Sequence, residues 1–451
     1  MTVRFPDPAS RSAALYERAK KVFPGGSTRG QTFMRPYLIY AREAKGCRVT
    51  DVDGVERIDF VNNFTTQLHG HGHPAIVEAI QAQAAKGTGF NFATELEIEL
   101  AELILPRAAS FERIRFCNTG TEAVMHAIKA ARALTGRTKI AKCEGVYHGA
   151  YDYAEVSLDP DPQHWGRDEP ASVGFAKTAP DGMLDDVVMV PFNDVEATRR
   201  VLDRHKGELA AFLLDAVPSR CGGMPVRPEY AALVRDYTRR EGALLILDEV
   251  VTFRLDVGGA QTRYGIEPDI TTLGKVIGGG LAVGALAGRA TAMAAFDQTK
   301  GKAHVPQSGT FTANPLTMAA GIASMKLTTG EALGRLNALG ERARRVMREA
   351  FRAAGVGAQV LGEGSLIVVT FAKQPPENYR DVYLANAAGG AQAMEELWRR
   401  LLNHGVFWST TGLGCLSTPM GDAEIERLGE AVHAALGEMK ADGLERLLPS
   451  D

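Results

Sequence analysis

The sequence predicts an α/β protein: a large domain on a mostly parallel sheet, and a smaller α/β domain assembled from the two chain ends. Three observations carry this. Between residues 113 and 287, short apolar runs alternate regularly with helical segments, the pattern of a parallel sheet covered on both faces. The runs are near-continuous, as expected of strands buried on both sides. Short strands before residue 65 and after residue 330 fall outside that alternation.

In chain order, residues 11–22 read as a helix with Leu15 and Ala19 on one face, stopped by Pro24-Gly25-Gly26. Strand-like runs follow at 37–41, 47–50 and 55–61, the last two joined by the turn Asp51-Val52-Asp53-Gly54. Pro74 opens a helix that ends near Gly87, and Thr94 with Glu97 forms a capping box for the next. Strands are then expected at 113–117, 139–142, 187–190, 209–214, 243–247, 270–273 and 282–287. Helices are expected at 122–134, 195–205 and 229–240, between the strands. The stretch 157–181 is rich in Asp, Pro and Gly. A loop of that length reads as a candidate lid or as a surface excursion. Helices at 315–327, 333–354, 391–403 and 423–439 and a strand at 366–371 complete the chain. The run Arg342, Arg344, Arg345, Arg348 reads as a solvated helix face. The expected division is 1–65, an N-terminal segment; 66–330, the large domain; and 331–451, the C-terminal small domain.

With 451 residues, 45% hydrophobic and 23% charged, the composition is that of an ordinary globular protein. A net charge of -3 gives no basic footprint for nucleic acid. The five cysteines are scattered and form no C-x-x-C pair, which points to reduced thiols, a cytoplasmic location and no zinc site. The N-terminus has no apolar signal-peptide core, and no apolar run is long enough to span a bilayer.

The chemistry centres on Lys275, which ends the apolar run at 270–273 and is followed at once by glycines at 278–280. Such a lysine either reaches a bound carbonyl compound or snorkels toward water. Asp248 ends the run before it. Thr119, Gly120 and Thr121 lie where a strand passes into a helix, a ready phosphate cup, although Thr119 or Thr121 also serves as a plain N-cap. Tyr147 follows another strand and either stacks on a planar ligand or packs in the core. All these residues fall at the carboxyl ends of predicted strands, where open α/β sheets bind ligands. An amine, an acid, a phosphate cup and an aromatic together suit pyridoxal 5'-phosphate, with the acid holding the pyridine nitrogen protonated.

The segments Asp248-Glu249-Val250, Leu273-Gly274-Lys275, Asn118 to Ala123 and Tyr147-His148-Gly149 resemble class III aminotransferases of PLP fold type I. Pro24-Gly25-Gly26, His69 to Pro74 and Ser308 to Pro315 resemble the branch of glutamate-1-semialdehyde aminomutase and the β-amino-acid aminotransferases. The resemblance implies Lys275 as the Schiff-base lysine and Asp248 as partner of the pyridinium. Val250 and Tyr147 would take the two ring faces, and Gly120 and Thr121 the phosphate. It also implies a homodimer in which Thr310 reaches the phosphate at the partner's site. His69, His71 and His73 alternate as metal ligands can, but the resemblance places them in a common turn, so no metal is expected.

The chain departs from the resemblance in four places, two of them the run 62–68 and the loop 157–181. Asp215-Ala216 stands where Glu-Pro is usual, and Arg220 stands near the place of an amide that helps hold the cofactor. Arg220 is then a candidate for a substrate carboxylate or the cofactor oxygen, with a solvent-facing role equally open. The loop 409–417 has neither the acid of the aminomutase nor the carboxylate-binding arginine of the β-phenylalanine enzymes. Arg29, in Ser27-Thr28-Arg29, is the remaining carboxylate candidate. The expected activity is transfer of an amino group from an amino acid, including a β-amino acid, or an amine to a keto acid. The alternative is a glutamate-1-semialdehyde 2,1-aminomutase or a racemase on the same fold.

Overall fold

The computed structural model describes residues 4–167, 169–177, 179–299 and 301–444. Residues 1–3 and 445–451, at the outer ends of the expected terminal segments, lie outside these, as do Asp168 and Thr178 of the candidate lid.

The first three strands, β1 (Ala41–Lys45), β2 (Arg48–Asp51) and β3 (Glu56–Asp59), form an antiparallel meander. The run at 37–41 is not a strand, and β1 begins where it was expected to end. Tyr37 and Leu38 instead pack with Phe5, Tyr16 and Trp398 in a satellite cluster. The central elements are β4 (Arg113–Cys117), β5 (Lys139–Cys143), β6 (Val187–Val190), β7 (Leu209–Asp215), β8 (Leu244–Asp248), β9 (Ile270–Gly274) and β10 (Gly284–Gly288). They form one seven-stranded sheet in the order β4-β10-β9-β8-β7-β5-β6. Only β10 runs against its neighbours, so the other six strands share one carboxyl edge. β6, β9 and β10 are buried throughout, and β7 in all but its last residue, which is why these strands read as unbroken apolar runs.

The C-terminal strands are β11 (Gln359–Leu361), β12 (Leu366–Thr370), β13 (Val406–Phe407) and β14 (Leu413–Cys415). β11, β12 and β14 form a three-stranded antiparallel sheet. β13 leaves it and adds to β3 in parallel, so the N-terminal sheet is completed by the C-terminal part of the chain. The long helix Gly330–Ala353 packs on Asp422–Ala441. Its arginines are not all solvated: Arg344 is buried and donates to the Gly364 and Leu366 carbonyls at 2.7 Å each. Those carbonyls stand at the turn into β12, and a guanidinium with several donors satisfies them at once.

Candidate active site

The carboxyl edge of the sheet collects the functional side chains. Asp248, Asp215 and Thr272 are register neighbours on β8, β7 and β9, so they project to one face of the sheet. Asp248 is buried, and three hydrogen-bond contacts hold its carboxylate while Oδ2 keeps one acceptor position free. Oδ1 accepts the Thr272 hydroxyl at 3.0 Å and the Val250 N–H at 3.1 Å, while Oδ2 lies 2.8 Å from His148 Nδ1. Burial alone would raise its pKa, but His148, the Val250 N–H and Thr272 together hold it below the ordinary value. Asp248 is therefore ionised, and His148 Nδ1–H is the donor. Burial also lowers the His148 pKa, against the pull of Asp248, so the ring is neutral, and its buried Nε2 has no partner.

Lys275 directly follows β9 with φ +48°, a left-handed conformation uncommon for a non-glycine residue. Burial lowers its pKa, opposed by the charges of Asp248 and then Asp215. Asp215 is pushed up to about 8 by burial and then by the Asp248 charge. Near neutrality the pair thus holds one negative charge, on Asp248.

The helix Gly120–Thr135 starts at the end of β4 and points its N-terminus at the same edge. Thr119 is its N-cap, its hydroxyl accepting the Glu122 N–H at 3.1 Å, and Glu122 in turn accepts the Asn118 N–H at 2.8 Å. Thr121 Oγ1 accepts the Ala150 N–H at 3.1 Å, tying this turn to the Tyr147-His148-Gly149 loop. A helix N-terminus leaves its first N–H groups for an anion. Val250 sits against this turn: a Cβ on Gly120 would lie 2.9 Å from both Val250 methyls, and one on Gly274 3.3 Å from Val250 Cγ1. Two glycines therefore let one branched side chain press into the site from below. Tyr147 is 43% exposed, an aromatic face left open near the Asp248 charge.

Most other expected residues have their contacts outside this cluster. Arg220 does not point at Lys275. It donates to Gly145 O at 3.1 Å, Leu158 O at 3.1 Å and Asp159 Oδ1 at 2.7 Å, so its fork is spent on the loop after Ser157. The expected lid is tied down at both its neck and its tip. Its neck is closed by Ser157 on Ala171 and Val173. Its tip lies on the helix Tyr379–Ala385, with Asp159 on the Tyr379 hydroxyl at 2.9 Å and Arg380 over Trp165. That helix was not foreseen, and it gives the loop a rigid seat. Thr310 lies on an exposed loop together with Phe311. Arg29 is exposed and donates from Nη1 to Asn63 Oδ1 at 3.1 Å. His69 Nε2 meets Ser324 O and the Thr328 hydroxyl, and His71 Nε2 meets Asp59 Oδ2 at 2.8 Å. Sequence reasoning assigned neither His148 nor Asp215 a role, although the structure places both beside Asp248. His148 stood inside the Tyr147-His148-Gly149 motif, and the acid at 215 replaced a glutamate, which were the available signals.

A lysine, an ionised acid backed by histidine, an open aromatic and a helix N-terminus share the carboxyl edge of one mostly parallel sheet. That arrangement defines a pyridoxal-phosphate enzyme of fold type I. The residues fit the cofactor, since Tyr147 leaves an aromatic face open and the ionised Asp248 suits a ring N–H⁺. The chain belongs to the aminotransferase class-III family, whose sequence profile matches residues 31–426. It is 36% identical over 435 residues to glutamate-1-semialdehyde 2,1-aminomutase of Methanocella arvoryzae, covering 95% of this chain and 99% of that one. An ω-transaminase structure from Sphaerobacter thermophilus superposes with a TM-score of 0.92 at 44% identity, covering 96% of this chain and 99% of that one. The β-phenylalanine aminotransferase of Variovorax paradoxus superposes at 0.86 with 33% identity, covering 97% and 95%. The protein is thus a class III transaminase, and its cofactor is pyridoxal 5'-phosphate.

Proposed function

We propose that Lys275 carries the cofactor and that the enzyme transfers amino groups from amino acids, β-amino acids among them, to keto acids. The observation that supports this most is Lys275 itself, held in a strained conformation at the end of β9 beside an ionised acid. When bound, pyridoxal phosphate supplies an electron sink for the pair released as a substrate C–H bond breaks. Asp248 keeps a negative charge for the ring nitrogen, and His148 fixes the carboxylate orientation by holding Oδ2. Lys275 Nζ, with its pKa lowered, is the base that takes a proton from the substrate carbon and returns it. Thr119 organises the helix turn, and the Gly120 and Thr121 N–H groups and the Thr121 hydroxyl take the phosphate. Val250 and Tyr147 cover the two ring faces and exclude water. Arg29 takes the substrate carboxylate. Arg220 holds the 158–171 loop and takes no part in binding.

The working unit is read as a homodimer. Thr310 and Phe311 are exposed, as are Phe90 and Phe92, the last at 86%. Such a patch is typical of an interface, and Thr310 would serve the phosphate at the partner's site. The five free, buried cysteines favour a cytoplasmic setting.

Borohydride treatment followed by peptide mapping tests the lysine assignment. Cofactor should remain covalently attached to the peptide that contains Lys275, and attachment in Lys275→Ala would refute it. A panel of α-amino acids, β-amino acids and simple amines, each with pyruvate and 2-oxoglutarate, defines the donors. The aminomutase relative favours a second reading, in which the amino group returns to the same molecule. Turnover of glutamate-1-semialdehyde without any keto acceptor would select that reading. The missing acid in the loop 409–417 counts against it.

A further inference from the structure

Asn62, Asn63, Phe64 and Thr65 adopt φ of +48°, +49°, +51° and +74° in succession. Single left-handed residues are common only for Gly, Asn and Asp, because for other residues Cβ crowds the following carbonyl. A phenylalanine and a β-branched threonine in that region are outliers. The surrounding structure over-determines the turn. Asp59 Oδ1 accepts the Val61 and Asn62 N–H groups at 2.8 Å each, while His71 holds its other oxygen. Asn62 Nδ2 donates to Cys415 O at 2.9 Å. The fully buried Arg254 donates to Thr65 O at 3.1 Å and to Ser365 Oγ at 2.9 Å, and also contacts Leu416 O. Strain held this firmly marks a turn kept for what it presents.

What it presents is Asn63. Its side chain is exposed, and its Oδ1 receives Nη1 of Arg29. Among the described residues no carboxylate pairs with Arg29, and Asn63 is the partner of its guanidinium. Engaging Nη1 fixes the plane of the guanidinium and leaves the Nε–Nη2 edge, whose two parallel N–H bonds match a carboxylate. We infer that Asn63 is a positioning residue that orients Arg29 for the substrate carboxylate, which makes carboxylate-bearing donors the preferred class over simple amines. This rests on the assignment of Arg29 to the carboxylate.

Asn63→Gly tests it cleanly, because glycine accepts the left-handed conformation without strain and the fold is kept. Titration calorimetry of the holoenzyme with 3-phenylpropanoate, a carboxylate without an amine, reads the subsite without turnover. Loss of this exposed hydrogen bond should raise its Kd about 2- to 12-fold. KM for β-phenylalanine should rise by a similar factor, with kcat nearly constant and KM for 1-phenylethylamine unchanged. In an Arg29→Ala background, Asn63→Gly should add nothing. Unchanged Kd and KM in Asn63→Gly, or an effect that persists without Arg29, would overturn the inference. So would Arg29→Ala binding 3-phenylpropanoate as tightly as the wild type. Arg29-dependent weakening in Asn63→Gly, in an enzyme that transaminates neither donor, would uphold Asn63 and defeat the β-amino-acid donor reading instead.

Discussion

Replacing Gly120 by alanine probes the floor of the site directly. The new Cβ would sit 2.9 Å from both Val250 methyls, inside van der Waals contact. Without cofactor, Val250 can swing into the space meant for the ring, and the overlap is relieved. With cofactor bound that escape is closed, so the overlap returns as strain in the loaded state. Overpacking of this kind costs about 1–3 kcal/mol, which corresponds to about 5- to 150-fold in Kd. The assay is equilibrium titration of the apo protein with pyridoxal phosphate, followed by quenching of its fluorescence. Val250→Ala removes both clashing methyls. It will weaken binding by itself through lost ring packing, but Gly120→Ala made in that background should then cost less than about 0.5 kcal/mol, since the coupling has been removed. Binding by Gly120→Ala within twofold of the wild type, or an equal penalty in both backgrounds, would refute the packing account.

Three further predictions follow from the geometry. Between pH 4 and 8 folded Asp215 keeps a proton that the unfolded chain has released, so its stabilising contribution is full below about pH 4 and fades as pH rises toward 8. The apo protein's Tm should therefore fall from pH 6 to 8.5, and Asp215→Asn should flatten that slope; parallel slopes would show that Asp215 titrates normally. Arg220→Ala should expose the 158–171 loop to proteinase K while KM for carboxylate donors stays within twofold, whereas a large KM increase with the loop still protected would return Arg220 to the substrate. Phe92→Lys should convert a sedimenting dimer to monomer and weaken cofactor binding, and an intact dimer would remove Phe92 from the interface.

The central sheet was legible because its strands are buried on both faces and its helices carry their own boundaries, such as Thr119 before Gly120 and Pro228 after Arg227. The edges were not. β1 is largely exposed, with two lysine or arginine side chains in five residues, so it lacks an apolar signal. β13 has two residues and exists only because β3 receives it. Lys275 and Asp248 could be picked out by strand ends and glycines. The histidine behind Asp248 could not, because the contact joins residues 100 positions apart. The left-handed turn at 62–65 was equally hidden, since Phe64 and Thr65 disfavour it and the forces that hold it come from Asp59, Cys415 and Arg254.

The parallel pairing of β3 with β13 has a consequence for synthesis. Arg57, buried beside Asp51, donates to Leu402 O across 345 residues, and the Ile58 and Phe60 N–H groups bond to Gly405 and Phe407 carbonyls. At about 5–20 residues per second, those partners leave the ribosome roughly 20–70 s after β3 does. Through that interval β3 is a bare edge with Ile58 and Phe60 uncovered, a template for pairing with other nascent chains. The N-terminal segment thus stays open to edge pairing until the C-terminal part of the chain arrives, and any chain cut short before residue 406 keeps that edge open permanently.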